Sequence, residues 1–391
     1  MTLSLDKSAW KRVAFGDVIE SITDRVNDPS AAGVDRYVGL EHLDPGVMTV
    51  QRWDTPDKVE AQKLRFQPGD VIFGRRRAYQ KKVARAEFDG ICSAHALVLR
   101  ARPDSIDPDF LPVFLSSDYF LNRAISISVG SLSPTVNWRD LKVQEFDLPP
   151  LDEQKRIADL LWAIERHYLT LASSLESTRI LVTHLTAERL TTIPGCRKLG
   201  DLATTRSGPS FAASAVHSGP VSGSIPVIGI PNTKPDGTID LAEVSHVTGL
   251  PTSVGRVDER SLILIRTNGN RSRIGNVYLP PNEAHGHAVS AFQFLMQVND
   301  PEDRDYLFWV LGDAQMQERM SAGASGTVGL GNLAVRWLNE QLIPWPENHD
   351  DRHVLVNELD KVARVVQTIQ AEITAVFAMK RTVLANVFGG I

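Results

Sequence analysis

The densest run of chemistry-bearing residues in this 391-residue chain is Arg75-Arg76-Arg77, followed by Tyr79, Lys81, Lys82 and Arg85. A second stretch carries Arg266, Asn268, Asn270, Arg271 and Arg273 without a single acid. Arginine can contact guanine bidentately, asparagine can do the same with adenine, and both bind phosphate. Either cluster alone would read better as an ordinary solvated surface loop. Both, however, follow an apolar run of the same kind, Val71-Ile72-Phe73 and Leu262-Ile263-Leu264. That recurrence favours nucleic acid.

Catalytic constellations do not assemble around them. There is no Walker-type phosphate loop, no His-Glu-x-x-His and no cysteine pair at metal-ligand spacing. Neither a catalytic residue nor a metal site is expected. The glycine-rich segment from Gly323 to Gly331 superficially resembles a nucleotide loop. Its counterpart from Gly130 to Asn137 has lost most of the glycines, which favours a turn or a DNA-adjacent loop. His95-Ala96 aligns with His287-Ala288, and both histidines read as structural.

Two long helices must position these loops. Apolar residues recur at Ile157, Leu161, Ile164, Tyr168, Leu171, Leu175, Val182 and Leu185, in steps of mostly four and three. The same rhythm runs through Leu355, Leu359, Val362, Val366, Ile369, Ile373, Val376, Val383 and Val387, and only Thr178 and Lys380 break the two series. A sustained 3.5-residue repeat keeps one apolar seam facing a partner helix. Pro149-Pro150 precedes the first helix, Asp152-Glu153 lies in its first turn, and Ile193-Pro194-Gly195 ends it. Pro344 and Pro346 precede the second, with Asp350-Asp351 near its start and Phe388-Gly389-Gly390 at its end.

Each helix follows a globular segment, and the two segments match in order. Phe15-Gly16-Asp17-Val18 corresponds to Leu199-Gly200-Asp201-Leu202, Tyr37-Val38-Gly39-Leu40 to Val227-Ile228-Gly229-Ile230, and Leu148-Pro149-Pro150 to Ile343-Pro344-Trp345-Pro346. The chain is a duplication. Short apolar runs punctuated by Gly and Pro predict strands, such as 69–73, 96–99, 261–265 and 292–295. Amphipathic helices are predicted over 109–126 and 305–320. The fold expected is α+β: two similar mixed α/β domains joined by two long helices forming an antiparallel coiled coil, with a pseudo-two-fold internal duplication. The boundaries are 1–147, 148–193 (central helix), 194–343 and 344–391 (C-terminal helix). At ~1.5 Å per residue, a seam of roughly 30 residues spans about 45 Å. That equals about 13 base pairs of B-DNA at ~3.4 Å each.

Composition sets limits on partners. A chain this long exceeds one ordinary core, and 42% hydrophobic residues support two. No apolar run reaches membrane-spanning length, and residues 1–11 show no signal-peptide pattern. Two cysteines at unrelated points of the repeat argue against a disulfide framework and suit a reducing cytoplasm. The net charge of −5 and pI near 6.1 are unusual for an autonomous DNA binder. A partner would then supply further positive surface.

The helix start Leu148-Pro149-Pro150-Leu151-Asp152-Glu153-Gln154-Lys155-Arg156-Ile157-Ala158, with the Gly-Asp openings and the duplicated layout, resembles the specificity subunits of type I restriction-modification systems. The second helix start departs from the pattern: Pro344-Trp345-Pro346-Glu347-Asn348 lacks the Glu-Gln pair. The resemblance implies two target recognition domains reading the halves of a split site in double-stranded DNA, with the helices as a ruler. It implies two methyltransferase subunits, and motor-endonuclease subunits in the full complex. S-adenosylmethionine, ATP and Mg2+ would act on those partners, and this chain would hold no cofactor. The loops Arg75–Lys82 and Arg266–Arg273 would reach the major groove. Further candidates are Ser131, Ser133 and Asn137 in the first domain, and Arg206, Ser207 and Ser210 in the second. Glu153, Arg156 and Arg166 would help to seat the methyltransferases. The alternatives are a methyltransferase-independent DNA-binding protein, an enzyme acting on DNA alone, or a protein scaffold.

Overall fold

Alternation of short β-branched runs with Gly- and Pro-rich turns builds a similar pair of sheets twice. The computed structural model describes residues 7–326 and 330–389. Residues 1–6 of the N-terminal stretch, Thr327, Val328 and Gly329 of the glycine-rich segment, and Gly390 with Ile391 lie outside them. The chain divides into two units, residues 1–174 with 369–391, and residues 175–368.

In the first unit an antiparallel sheet runs Ile19–Ile22, Leu97–Ala101, Val71–Phe73, Val83–Arg85. A second sheet runs Arg25–Val26, Lys63–Phe66, Gly90–Ser93, Tyr37–Val38, its last pair parallel. The second unit repeats the first order, while in its other sheet the strand matching Tyr37–Val38 takes the third place instead of the fourth. Ala203–Ser207, Gln293–Val298, Ser261–Ile265 and Val277–Tyr278 form one sheet. Val216–His217, Ser245–Val247, Ile225–Ile228 and Ala288–Val289 form the other, again closing on a parallel pair. A two-stranded ribbon closes each unit, Lys11–Ala14 on Glu145–Leu148 and Cys196–Lys198 on Leu342–Pro344.

The helices α1 (Phe110–Ser116) and α2 (Asp118–Ser126) follow the first sheets. They replace the single helix predicted over 109–126. Ser117 breaks the run, because its Oγ donates back to the Phe114 carbonyl and accepts from Phe120 N. The long helix α3 (Leu151–Thr191) comes next. In the second unit α4 (Arg304–Gly312) and α5 (Ala314–Gly323) divide in the same way at Asp313, whose side chain caps Gln315 and Met316. The chain then enters α6 (His349–Phe388). Among the described residues no helix is long and apolar enough to cross a membrane.

Each unit holds half of each long helix, and the halves pack antiparallel. In the first unit Glu165 pairs with Lys380, Tyr168 with Phe377 (centroids 4.6 Å apart) and His167 with Glu372. In the second, Arg189 pairs with Glu358. The residue that interrupted the second apolar series thus has a defined role. Lys380 is 4% and Glu165 1% exposed. Lys380 Nζ donates to Glu165 Oε2 at 2.6 Å and to the Gly46 carbonyl at 2.7 Å, while Met48 N donates to Glu165 Oε1 at 2.6 Å. Burial lowers the lysine's pKa, and Glu165 acts against that shift. Because Lys380 Nζ has two acceptors and both Glu165 oxygens accept a bond, the pair is tolerated inside the seam and locks its register against the loop at 46–48.

The first core is aromatic. Phe15, Phe110, Phe114, Phe120 and Phe146 are fully buried or nearly so, and Phe388 from the end of α6 packs on Phe110, Phe114, Tyr119 and Trp10. The second core uses Leu262, Leu264, Met296, Met316 and Met320, with Leu355 and Leu359 from the start of α6. Cys92 is buried, which pushes its thiol pKa up, whereas Cys196 is exposed.

Candidate nucleic-acid interface

The two cationic loops leave equivalent strands and are held by equivalent bonds. After Val71–Phe73, Arg75 extends back to the neighbouring turn, its Nη2 donating to the Ala94 carbonyl at 3.3 Å. After Ser261–Ile265, Arg266 Nη1 donates to the Ala291 carbonyl at 3.4 Å. Each arginine carbonyl then accepts from a second loop: Val136 N on Arg75 at 3.0 Å, and Leu333 N on Arg266 at 2.9 Å. Lacing follows in both units. Arg76 bridges to Thr135, and Thr267-Asn268 pairs with Gly331-Asn332.

The described parts of the glycine-containing segments are therefore folded onto the arginine loops. Val129 pairs with Thr135 in one and Ser325 with Asn332 in the other. Gly130 (φ +116°) and Gly326 (φ +130°) adopt conformations that side chains disfavour, so glycine is needed at both bends.

In the first unit Arg76, Arg77, Tyr79 and Lys81 are exposed. Arg77 (φ 56°) and Lys81 (φ 54°) are the only non-glycine residues of positive φ among those described. Backbone strain of that kind concentrates at functional sites. Arg77 Nε donates to Ser133 Oγ at 3.3 Å, joining two sequence candidates. Ser131 and Asn137 are exposed nearby on the same hairpin and just beyond it. Lys81 forms an ion pair with Asp118. Lys82 instead turns inward and donates to the Leu40 carbonyl at 2.6 Å.

In the second unit Asn268 and Asn270 shape the loop itself. Asn268 Oδ1 accepts from Asn270 N at 2.8 Å, and Asn270 Oδ1 accepts from Ser272 N at 3.1 Å. Arg271 is exposed, with Nη2 donating to the Ala324 carbonyl on the glycine-containing segment. Arg273 is half-buried, bonded to the Thr233 carbonyl and to the Tyr278 hydroxyl at 3.3 Å. Arg206 and Ser207 end the strand lying across Gln293–Val298 from Ser261–Ile265; Ser207 pairs with Phe294, which pairs with Leu264. They and exposed Ser210 consequently leave the sheet at the edge where Arg266 departs.

His95 and His287 are not counterparts. The position equivalent to His95 is Phe292, since Leu97 faces Phe73 as Phe294 faces Leu264. His95 Nε2 lies 3.2 Å from Arg76 Nη1, and burial followed by the charges of Arg76 and Arg75 lowers its pKa. His287 precedes Ala288–Val289 in the other sheet, its pKa also lowered by burial. On the central helix, Arg156 pairs locally with Asp152 (2.7 Å), Glu153 is half-buried and Arg166 exposed.

The departure at the second helix start has a physical counterpart that the sequence did not disclose. Buried Gln154 accepts from Asp107 N at 2.8 Å and donates to the Pro149 carbonyl at 2.9 Å. In the second unit Arg352 occupies that place. Its Nε donates to Asp303 Oδ1 at 2.7 Å and its Nη1 to the Pro346 carbonyl at 2.8 Å, with the guanidinium over the Trp345 ring. The spacing of Asp107 and Asp303 ahead of matching helices is the signal that could have found it.

Two similar sheet pairs, each presenting a cationic loop laced to a second, glycine-containing segment, define a duplicated fold. Residues 7–176 match the family model of the type I restriction modification DNA specificity domain. Over 179 residues the chain is 25% identical to the type I restriction enzyme EcoDI specificity subunit of Escherichia coli, covering 45% of this chain and 39% of that protein. It thus matches well under half the length of that curated relative. The fold is similar to a chain in a structure of complex assembly and conformational transition of the type I R-M system (TM-score 0.58, 20% identity, 98% of each chain). It is equally similar to the type I restriction-modification S subunit from M. genitalium (TM-score 0.58, 15% identity, all of both chains). Residues 7–176 of the chain are thus similar to a type I restriction modification DNA specificity domain, and the whole chain shares the fold of these two solved structures.

Proposed function

We propose that this protein is the non-catalytic DNA-recognition subunit of a type I restriction-modification complex, in which the globular domains 1–147 and 194–343 each read one half of a bipartite target. The observation that carries this reading is the repeated lacing of an arginine loop to a glycine-containing segment at one sheet edge in both units. Direct readout falls to Arg76, Arg77 and Tyr79 with Ser131, Ser133 and Asn137 in one domain. In the other it falls to Arg271 with Asn268, Asn270, Arg206, Ser207 and Ser210. Arg75, Lys82, Arg266 and Arg273 brace these loops from behind, and Lys81 contacts phosphate.

The paired helices set the gap between half-sites, and their exposed charges, Glu153, Arg156 and Arg166 among them, seat two methyltransferase subunits. Those subunits carry S-adenosylmethionine; motor-endonuclease subunits carry ATP and Mg2+. The net charge of −5 supports such dependence, because phosphate contacts supply most non-specific affinity. Methylome sequencing of cells carrying this chain with its methyltransferase should show a split adenine motif. Arg76→Ala or Arg271→Ala should weaken binding of the assembled methyltransferase to that motif by ~1–3 kcal/mol. Tight binding by the chain without a methyltransferase would favour an independent DNA-binding protein. Absence of any modified motif, together with no DNA retention by the complex, would favour a scaffold.

A further inference from the structure

At the start of α6, two imidazoles and a carboxylate converge from two separate elements. His349 and His353 stand one helical turn apart, so both project on one face, with ring centroids 4.3 Å apart. Glu302 reaches them from the turn Pro301–Asp303, its Oε2 2.9 Å from His349 Nε2. One potential ligand atom from each residue lies within 4.8 Å of the other two. His349 Nε2 is buried yet makes no hydrogen bond. A buried ring nitrogen held beside a carboxylate without a hydrogen bond is suited to ligation instead.

We propose that Glu302, His349 and His353 form a binding site for a zinc-class divalent cation that clips the start of α6 to the turn before α4. Two imidazoles and one carboxylate are a donor set that zinc accepts, with water completing the shell. The framework is rigid before any ion arrives. Asp303, next to Glu302, is tied to Arg352 between the two histidines in a buried ion pair, and Asp300 caps the turn through Glu302 N. The N-terminal end of a helix disfavours a cation. Here Asp350 and Asp351 in the first turn of α6 add negative charge against that effect.

The duplication supplies an internal control. The first-unit positions matching Glu302, His349 and His353 are Ile106, Leu151 and Lys155, which offer no ligand set. One site per chain is therefore expected, confined to the helix start that lacks the Glu-Gln pair. This proposal stands apart from the DNA-binding reading.

Zinc chloride titrated into the tag-free full-length chain, followed by calorimetry, should bind with a stoichiometry near one. Thermal unfolding should shift upward with saturating zinc. His353→Asn and His349→Gln should each weaken binding by tenfold or more and abolish the thermal shift, and Glu302→Gln should weaken it less. Cobalt(II) bound to the wild-type chain should give visible d–d absorption that disappears in His353→Asn. Because His353 and Glu302 are exposed, those variants keep the fold, as circular dichroism checks. Unchanged zinc affinity in either histidine variant, or no stoichiometric binding by the folded wild-type chain, would overturn the proposal.

Discussion

The helix pair is built differently in its two halves. At one end the seam encloses the Glu165–Lys380 pair, with Gly46 and Met48 completing its bonds. At the equivalent positions of the other end stand Ala363 and Val182, and the ion pair present there, Arg189–Glu358, lies at the surface. Helix starts contrast in the opposite sense. The first is fastened by the neutral amide of Gln154, the second by the buried charges of Arg352 and Asp303. Each unit thus places one buried ionic lock on its long helices, within the seam in the first unit and at the start of α6 in the second. Seam apolarity alone would permit sliding by a heptad, whereas a buried pair satisfied at one register does not.

Substitutions can break this contrast. The largest effect is expected from Lys380→Met, which strands Glu165 without its partner and should cost about 3–5 kcal/mol in chemical denaturation. Adding Glu165→Leu should recover most of that loss, making the first half resemble the second; failure of the double variant to recover would show that the bonds to Gly46 and Met48 matter more than the pair. Arg352→Gln keeps a donor but removes the charge facing Asp303, and should cost about 2–3 kcal/mol. Gln154→Ala, at the matching place in the first unit, should cost about 1–2 kcal/mol through the unpaired Asp107 amide. Equal losses at these two sites would erase the distinction drawn between neutral and ionic fastening. Arg189→Ala should leave the denaturation midpoint nearly unchanged, since solvent screens exposed pairs.

Much of this arrangement was legible in the sequence. The 3.5-residue seams located α3 and α6, because periodicity acts locally. Strands such as Ser261–Ile265 were legible for the same reason. The splits of α1 from α2 and of α4 from α5 were not. One Ser or Asp inside an amphipathic run is compatible with a continuous helix, and only its capping bonds reveal the break. The false pairing of His95 with His287 arose because short motifs were matched across loops of unequal length. Inward-facing cations were equally hidden: Lys82 and Arg273 look like any other charge in a basic loop until their carbonyl partners on distant segments are seen. The His349–His353 spacing was present in the chain, but its third member, Glu302, comes from a turn 47 positions earlier.

Phe388, inserted among Phe110, Phe114 and Tyr119, has a consequence for biosynthesis. The unit translated first includes residues supplied by the last turns of α6, so its aromatic interior stays open while the whole of the second unit is being made. At ~5–20 residues per second this interval lasts roughly ten to forty seconds. Through that time a large greasy surface is exposed on the ribosome. A newborn chain of this protein should accordingly be a client for hydrophobic-binding chaperones until its final helix arrives to plug the hole.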